Sequence, residues 1–194
     1  MSTGKSVLTD RKLVILDRDG VINEDSDAYI KSPGEWRPIE GSLQAIARLN
    51  RAGFKVYIAT NQSGLARGLF TIETLNRIHQ KMLDELQRQG GSIDAILFCP
   101  HGPEDQCDCR KPKPGLYEEV AARNKISLDG IPVIGDSFRD IEAALAVNAR
   151  PILVRTGKGA QTEQDHAASL CGIEVYDDLA TTVDNLINEY GSQA

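Results

Sequence analysis

The sequence predicts an α/β fold: a doubly wound, mostly parallel sheet with helices on both faces. Three observations predict it. Short, nearly continuous apolar runs rich in Val and Ile recur along the chain, as expected of strands covered on both sides. Segments of helical period separate them, so strand and helix alternate throughout. Acidic and small polar residues gather at the carboxyl ends of those runs, where open α/β sheets bind ligands. At 194 residues and 41% hydrophobic content, the chain suits a single domain over 1–194 that buries about 70% of its unfolded surface.

The first strand candidate is KLVILD (12–17), which runs straight into Asp17, Arg18, Asp19 and Gly20. A helical pattern over 42–52 ends at Gly53, and the second strand is KVYIAT (55–60). Leu75, Ile78, Met82, Leu83 and Leu86 then form one helical stripe, with Thr71 as N-cap and Gly90–Gly91 as the stop, and this stripe reads as core. DAILFC (94–99) is the third strand. The irregular stretch CPHGPEDQCDCRKPKPG (99–115) follows it and leads into a helix over 115–124. IPVIGD (131–136), a helix over 138–147, PILVRT (151–156) and a helix over 178–190 complete the alternation. No repeat, low-complexity tract or linker divides it.

A net charge of −6 argues against a general nucleic-acid binder, which needs a cationic face. No apolar run approaches the about 20 residues of a membrane span, and MSTGKSVLTDRK carries no apolar signal core. GKS at 4–6 lacks the strand and earlier glycine of a phosphate-binding loop. The expectation is a cytoplasmic, monomeric protein that binds neither membrane nor nucleic acid. Cys99, Cys107 and Cys109 cluster while Cys171 stands alone, which is not a disulfide framework. With His101 they form C-x-H-x₅-C-x-C, three thiolates and one imidazole suited to a closed tetrahedral Zn²⁺ site in the loop 99–109. Its role would be structural, presenting Arg110 and Lys111 at the catalytic edge.

In the predicted sheet Asp17, Asp19, Thr60, Asn61 and Asp136 converge on one edge. Two carboxylates about 4 Å apart repel by about 4 kcal/mol at an effective dielectric of 20. A divalent cation removes that cost, and an all-oxygen set with open positions suits Mg²⁺. TNQSG (60–64) offers Thr60, Asn61, Gln62, Ser63 and backbone N–H groups as an anion nest, and RKPKPG (110–115) adds Arg110 and Lys111. The Lys-Pro pairs are expected to hold that backbone extended. Asp17 can attack phosphorus to form an acyl phosphate. Asp19, two residues on, can act as acid and then base, while Thr60, Lys111 and the cation spread the transferring charge. Arg18 is expected to face the opposite way, packing or pairing.

DRDG, TNQSG, RKPKPG and GDS in this order resemble the four motifs of the haloacid dehalogenase (HAD) superfamily of aspartate-nucleophile phosphatases. The resemblance implies a Rossmann-like fold, and the spacings from Asp19 to Thr60 and from Thr60 to Lys111 leave no room for a large cap domain. More narrowly, LDRDGVIN, TNQSGLARG, CPH and CDCRKPKPG resemble the heptose 1,7-bisphosphate phosphatases, near relatives of histidinol phosphatases, from about residue 12 to 157. That family implies removal of the C7 phosphate of D-glycero-D-manno-heptose 1,7-bisphosphate, in lipopolysaccharide precursor synthesis. Histidinol phosphate or another small sugar phosphate is the alternative substrate. The resemblance makes Asp17 the nucleophile and Asp19 the acid/base. It assigns Mg²⁺ to Asp17, Asp19 (through its carbonyl) and Asp136, the phosphoryl group to Thr60 and Lys111, and substrate recognition to Arg110. The family carries the zinc loop as well. Ser137 departs from members with lysine at that position, which leaves the contact to substrate phosphate and the anomer preference open.

Asp25, Asp27 and Tyr29 follow the first motif in a loop, where they are either solvated or meet sugar hydroxyls. Asp140 either orients a Mg²⁺ water or favours the first turn of its helix. RTGKG (155–159) reads as a surface loop rather than a second anion turn. His79 and His166 are expected at surface positions, and Cys171 as a small buried apolar residue. Two rival functions share some of these features. A receiver-type module that stores an acyl phosphate would not need Asp19. A zinc-loop module binding nucleic acid would need more than 5% aromatic residues and a basic face.

Overall fold

The computed structural model describes residues 12–192; the GKS segment and the N-terminal reading lie outside them. Six strands form one sheet in the order β3-β2-β1-β4-β5-β6. They are β1 (Leu13–Leu16), β2 (Lys55–Asn61), β3 (Ala95–Cys99), β4 (Pro132–Gly135), β5 (Arg150–Val154) and β6 (Glu174–Tyr176). Every pairing is parallel, with Leu16 opposite Ile58 on one side and Ile134 on the other. The connecting helices are α1 (Ser42–Arg51), α2 (Ile72–Arg88), α3 (Gly115–Asn124), α4 (Phe138–Ala146), α5 (Gly159–Asp165) and α6 (Leu179–Gly191). The chain order reverses at β1, which has β2 on one flank and β4 on the other, and that seam is where such sheets leave a crevice.

The alternation of side chains along β1 explains why its apolar run has no polar face. Val14 and Leu16 pack with Val56, Ile58, Ile134 and the inner faces of α1, α2 and α6. Leu13 and Ile15 point the other way, joining Tyr57, Ala59, Val133 and residues of α3 and α4. Burying each such side chain contributes about 1.5–3 kcal/mol, so both layers are needed.

α2 follows the predicted stripe: Leu75, Ile78, Met82 and Leu86 are buried and Leu83 is half-buried. Thr71 caps it by accepting from the Thr74 amide at 3.3 Å. α1 stops where Gly53, at φ +87°, takes the left-handed conformation that glycine adopts without strain. Two expectations fail. His79, placed on the surface by sequence, is buried on α2, because its ring packs edge-on to Phe98 and its Nε2 meets the Arg18 guanidinium. Cys171, expected inside, is exposed in the turn after α5. His166 lies at the surface as expected, half-exposed and stacked on Phe138 at 4.0 Å between ring centroids. Two elements have no sequence signature: β6 is a three-residue edge strand, and α5 (GAQTEQD) buries only Gly159 and Thr162. Among the described residues no helix is long and apolar enough to cross a membrane.

Because Ile58 is fully buried on the central strand β2, Ile58→Ala should lower unfolding free energy by about 2–5 kcal/mol. A urea titration checks this, with the slope unchanged; a loss below about 1 kcal/mol would contradict the packing described.

Candidate active site

Asp17 lies one residue past β1, and its amide still donates to Ile134 O on β4 at 2.9 Å. The strand register therefore continues into the crevice and delivers the Asp17 carboxylate there. Thr60 and Asn61 end β2, and Asp136 follows β4, so three adjacent strand ends supply the polar groups. They line one cleft of roughly 320 Å³.

At its base is Lys111, 2% exposed. Its ammonium pairs with Asp17 at 3.1 Å and Asp140 at 2.6 Å, and donates to Ala59 O at 2.7 Å. Burial alone would lower the Lys111 pKa, but Asp140 and Asp17 hold it above the ordinary lysine range. The Lys111 backbone is clamped by the Asn61 side chain: Lys111 N donates to Oδ1, and Nδ2 donates to Lys111 O, both at 3.1 Å. The segment is not extended as predicted. It is a turn closed by Lys113 N donating to Arg110 O at 2.9 Å, with a cis Lys111–Pro112 peptide.

Asp19 is wrapped by donors. Arg18, 1% exposed, reaches both its oxygens through Nη2 at 2.9 Å, Asn23 Nδ2 adds a bond at 2.9 Å and Gln62 Nε2 one at 3.0 Å. Burial pushes the Asp19 pKa up, but the Arg18 charge and these bonds more than offset it and hold the carboxyl below its usual value. Arg18 thus pairs, as expected, but its partner is Asp19, so its guanidinium does not turn away from the site. Gln62 is buried and also donates to Thr60 Oγ1 at 3.0 Å, and Gly64 is required by Phe70, against which a Cβ would clash. Gln62 and Asn61 thus line the cleft, as expected, and also brace their neighbours.

Asp17, Asp136 and Asp140 bring one carboxylate oxygen each within 4.8 Å of one another. Asp140, left open by the sequence, serves the first turn of α4, accepting from Ser137 Oγ at 2.6 Å and Ser137 N at 3.1 Å, and its other oxygen pairs with Lys111, a contact the sequence did not suggest. Asp136 Oδ2 accepts from Lys158 N at 2.8 Å and is flanked by Gly20 and Gly157, both at positive φ, where any Cβ would strike the carboxylate. Burial, then the neighbouring acids, push Asp136 up to about 8. Burial, offset in part by Lys111, pushes Asp17 up to about 6. A buried trio of oxygens with glycine walls and one lysine for three acids fits a hard divalent cation such as Mg²⁺.

The zinc loop assembles as predicted. Cys99 Sγ lies 3.6 Å from Cys107 Sγ, which lies 3.6 Å from Cys109 Sγ, and His101 Nδ1 is 3.7 Å and 3.3 Å from Cys99 and Cys109. With Zn–S near 2.3 Å, a tetrahedron has edges of about 3.8 Å, so the four ligand atoms could hold zinc with little adjustment. The loop also reaches the site, since Arg110 Nη1 donates to His101 O at 3.2 Å.

Arg110, Ser63, Asp25, Asp27 and Tyr29 all line the cleft, Tyr29 at a φ of +64°. Asp25 and Asp27 pair with Lys158 Nζ at 3.4 and 3.1 Å, so RTGKG is a wall of the site and not a detached surface loop. Sequence reasoning missed Arg67, Arg139 and Lys158 as cleft residues. Arg139 could have been found, since it sits two residues past the GDS strand end; Arg67 and Lys158 depend on how their loops fold back.

The site and sheet define a class, HAD-like hydrolases. The HAD-hydrolase-like family model matches residues 108–182. The curated D-glycero-β-D-manno-heptose-1,7-bisphosphate 7-phosphatase of Bordetella bronchiseptica is 53% identical, covering 92% of this chain and 99% of its own. That of Pseudomonas putida is 52% identical, over 91% and 99%. The crystal structure of the D,D-heptose 1,7-bisphosphate phosphatase from B. bronchiseptica, complexed with magnesium and phosphate, superposes with a TM-score of 0.87 at 53% identity over 92% of this chain and 99% of that one. The Burkholderia thailandensis phosphatase gives 0.70 at 43% identity, over 91% and 99%. The chain belongs to the D-glycero-β-D-manno-heptose-1,7-bisphosphate 7-phosphatase family.

Asp17 and Asp136 titrate above their unfolded values, so their contribution to stability is present below about pH 4 and is lost as pH rises through about 6 and 8. Bound Mg²⁺ removes that loss. Thermal melts should therefore show a larger Mg²⁺-induced rise in Tm at about pH 8 than at about pH 5; an equal or reversed difference would contradict the buried-acid site. Metal analysis should return about one zinc per chain, and Cys107→Ser should lose it.

Proposed function

We propose that the protein is a Mg²⁺-dependent phosphatase that removes the C7 phosphate of D-glycero-β-D-manno-heptose 1,7-bisphosphate and leaves heptose 1-phosphate, an intermediate of lipopolysaccharide precursor synthesis. The observation that carries it is the Asp17 carboxylate at the strand seam, paired with a buried lysine, in a chain half identical to phosphatases of that name. An Asp17 oxygen attacks phosphorus and the bond from phosphorus to the C7 oxygen breaks. Asp19, protonated when the substrate's negative charge arrives beside it, gives its proton to the departing alkoxide. Asp19 then takes a proton from the water that attacks the aspartyl phosphate; orthophosphate leaves and Asp17 is restored. Lys111 and the Thr60 hydroxyl face the equatorial oxygens of the transferring group. Bound by Asp17, Asp136 and the Asp19 carbonyl, Mg²⁺ supplies positive charge that neutralises the acids and the phosphoryl oxygens.

Arg110, Ser63, Asp25, Asp27 and Tyr29 line the part of the cleft left for the sugar and its second phosphate, while Asn61 and Gln62 act on their neighbours. Cys99, His101, Cys107 and Cys109 would hold Zn²⁺ in the loop, and Arg110 is kept at the mouth by its bond to His101 O. The reading takes the chain as a single domain acting as a monomer. Four cysteines, none in a disulfide, suit the cytoplasm.

A kinetic panel with Mg²⁺ tests the reading, using both anomers of the heptose bisphosphate, histidinol phosphate and fructose 1,6-bisphosphate. The β anomer should give the highest kcat/KM by about tenfold or more; histidinol phosphate leading instead would overturn the substrate assignment. Asp17→Asn should reduce kcat by about a thousandfold or more. Acid-quenched wild-type enzyme should carry a phosphoryl adduct on the Asp17 peptide that decays with turnover. An adduct persisting for hours would point to phosphate storage.

A further inference from the structure

Resting on the phosphatase reading above, we infer that His79 and Gln62 are positioning residues, which hold Arg18 against Asp19 and set the direction of the Thr60 hydroxyl. The observation is one buried chain of hydrogen bonds that runs from α2 to the strand ends: His79, Arg18, Asp19, Gln62, Thr60.

Arg18 is buried and donates in three directions. Nε and Nη2 grip Asp19 at 2.9–3.1 Å, Nη2 also meets Gln62 Oε1 at 3.2 Å, and Nη1 lies 3.1 Å from His79 Nε2. A guanidinium has no acceptor, so His79 Nε2 is the acceptor and carries no proton. His79 therefore satisfies the Arg18 donor turned away from Asp19. Without it, a buried N–H is orphaned and the guanidinium gains a reason to rotate off the carboxylate.

The orientation of the Gln62 amide is equally determined. Its oxygen faces the donor-only Arg18, and its nitrogen faces the acceptor-only Asp19 at 3.0 Å. The second amide hydrogen goes to Thr60 Oγ1 at 3.0 Å. A hydroxyl that accepts from Gln62 on its buried side has its own hydrogen left to donate into the cleft. Neither Arg18 nor His79 lines the cleft, so their effect on substrate passes through Asp19.

A general acid matters in proportion to how badly the leaving group needs a proton. The test compares kcat/KM, which reports the steps up to departure of the leaving group, for the heptose bisphosphate, whose sugar leaves as an alkoxide, and for p-nitrophenyl phosphate, whose aryloxide departs without a proton. His79→Leu should lower kcat/KM on the sugar ester about 10–100-fold and on the aryl ester about threefold or less, whereas the shared hydrolysis of the aspartyl phosphate slows equally for both. His79→Gln, whose amide oxygen can accept from Arg18, should recover most of the loss. Arg18→Lys keeps a charge but cannot span from His79 to Asp19; it should show the same split, and serves if His79→Leu does not fold. Equal losses on both esters, or none on either, would overturn the inference while leaving the phosphatase reading intact. Wild-type protein inert toward both would overturn the two together.

Discussion

The buried Lys111 ammonium is the interaction around which the site is arranged. An unpaired cation at that depth would be untenable, and Asp17, Asp140 and the Ala59 carbonyl surround it. The same contacts answer a second need. Asp17, Asp136 and Asp140 crowd into one crevice, and one lysine cannot neutralise all three, so the cluster retains an excess of negative charge. That residue of charge makes the crevice a cation site. With the cation bound, the same crevice accepts a phosphoryl group that would otherwise be repelled.

Holding Lys111 requires a segment with little regular structure of its own. Between β3 and α3 the chain is irregular apart from one short turn of 3₁₀ helix, and it is tied down at three places: the Cys₃His cluster, the Arg110 bond to His101 O, and the double bond from Asn61 to the Lys111 backbone. Asn61 is the last residue of β2, paired with Cys99 of β3, so the edge of the sheet sets the position of a loop lysine. Zinc held by the cluster would supply order that apolar burial cannot provide over so polar a stretch.

The parallel sheet is what lets separate segments cooperate. Carboxyl ends of adjacent parallel strands lie on the same edge, and the reversal at β1 opens space between the connections. Asp17 and Asp19 nevertheless sit in different environments. Asp17 contacts the lysine and the acids, whereas Asp19 is held by Arg18, Asn23 and Gln62. Two carboxylates one residue apart thus shift in opposite directions, Asp17 upward through burial and Asp19 downward because burial is outweighed by the Arg18 charge and the bonds around it.

Much of this was legible in the residues. Continuous apolar runs declare strands buried on both faces, helical stripes declare their partners, and the order of the two implies a parallel sheet whose strand ends meet. Asp17, Thr60, Lys111, Asp136 and the Cys₃His cluster follow from residue type at strand ends or from local spacing, because residues close in sequence need little of the fold to meet. Tertiary structure decided the rest. Burial of His79 depends on an arginine 61 positions away, and Lys158 reaches the site because Gly157 packs against Asp136. Asn61 and Gln62 serve their neighbours because a side-chain amide both donates and accepts, and only its surroundings determine which partners it takes. Periodicity reports which face a residue is on; it carries no record of which distant polar group will lie opposite.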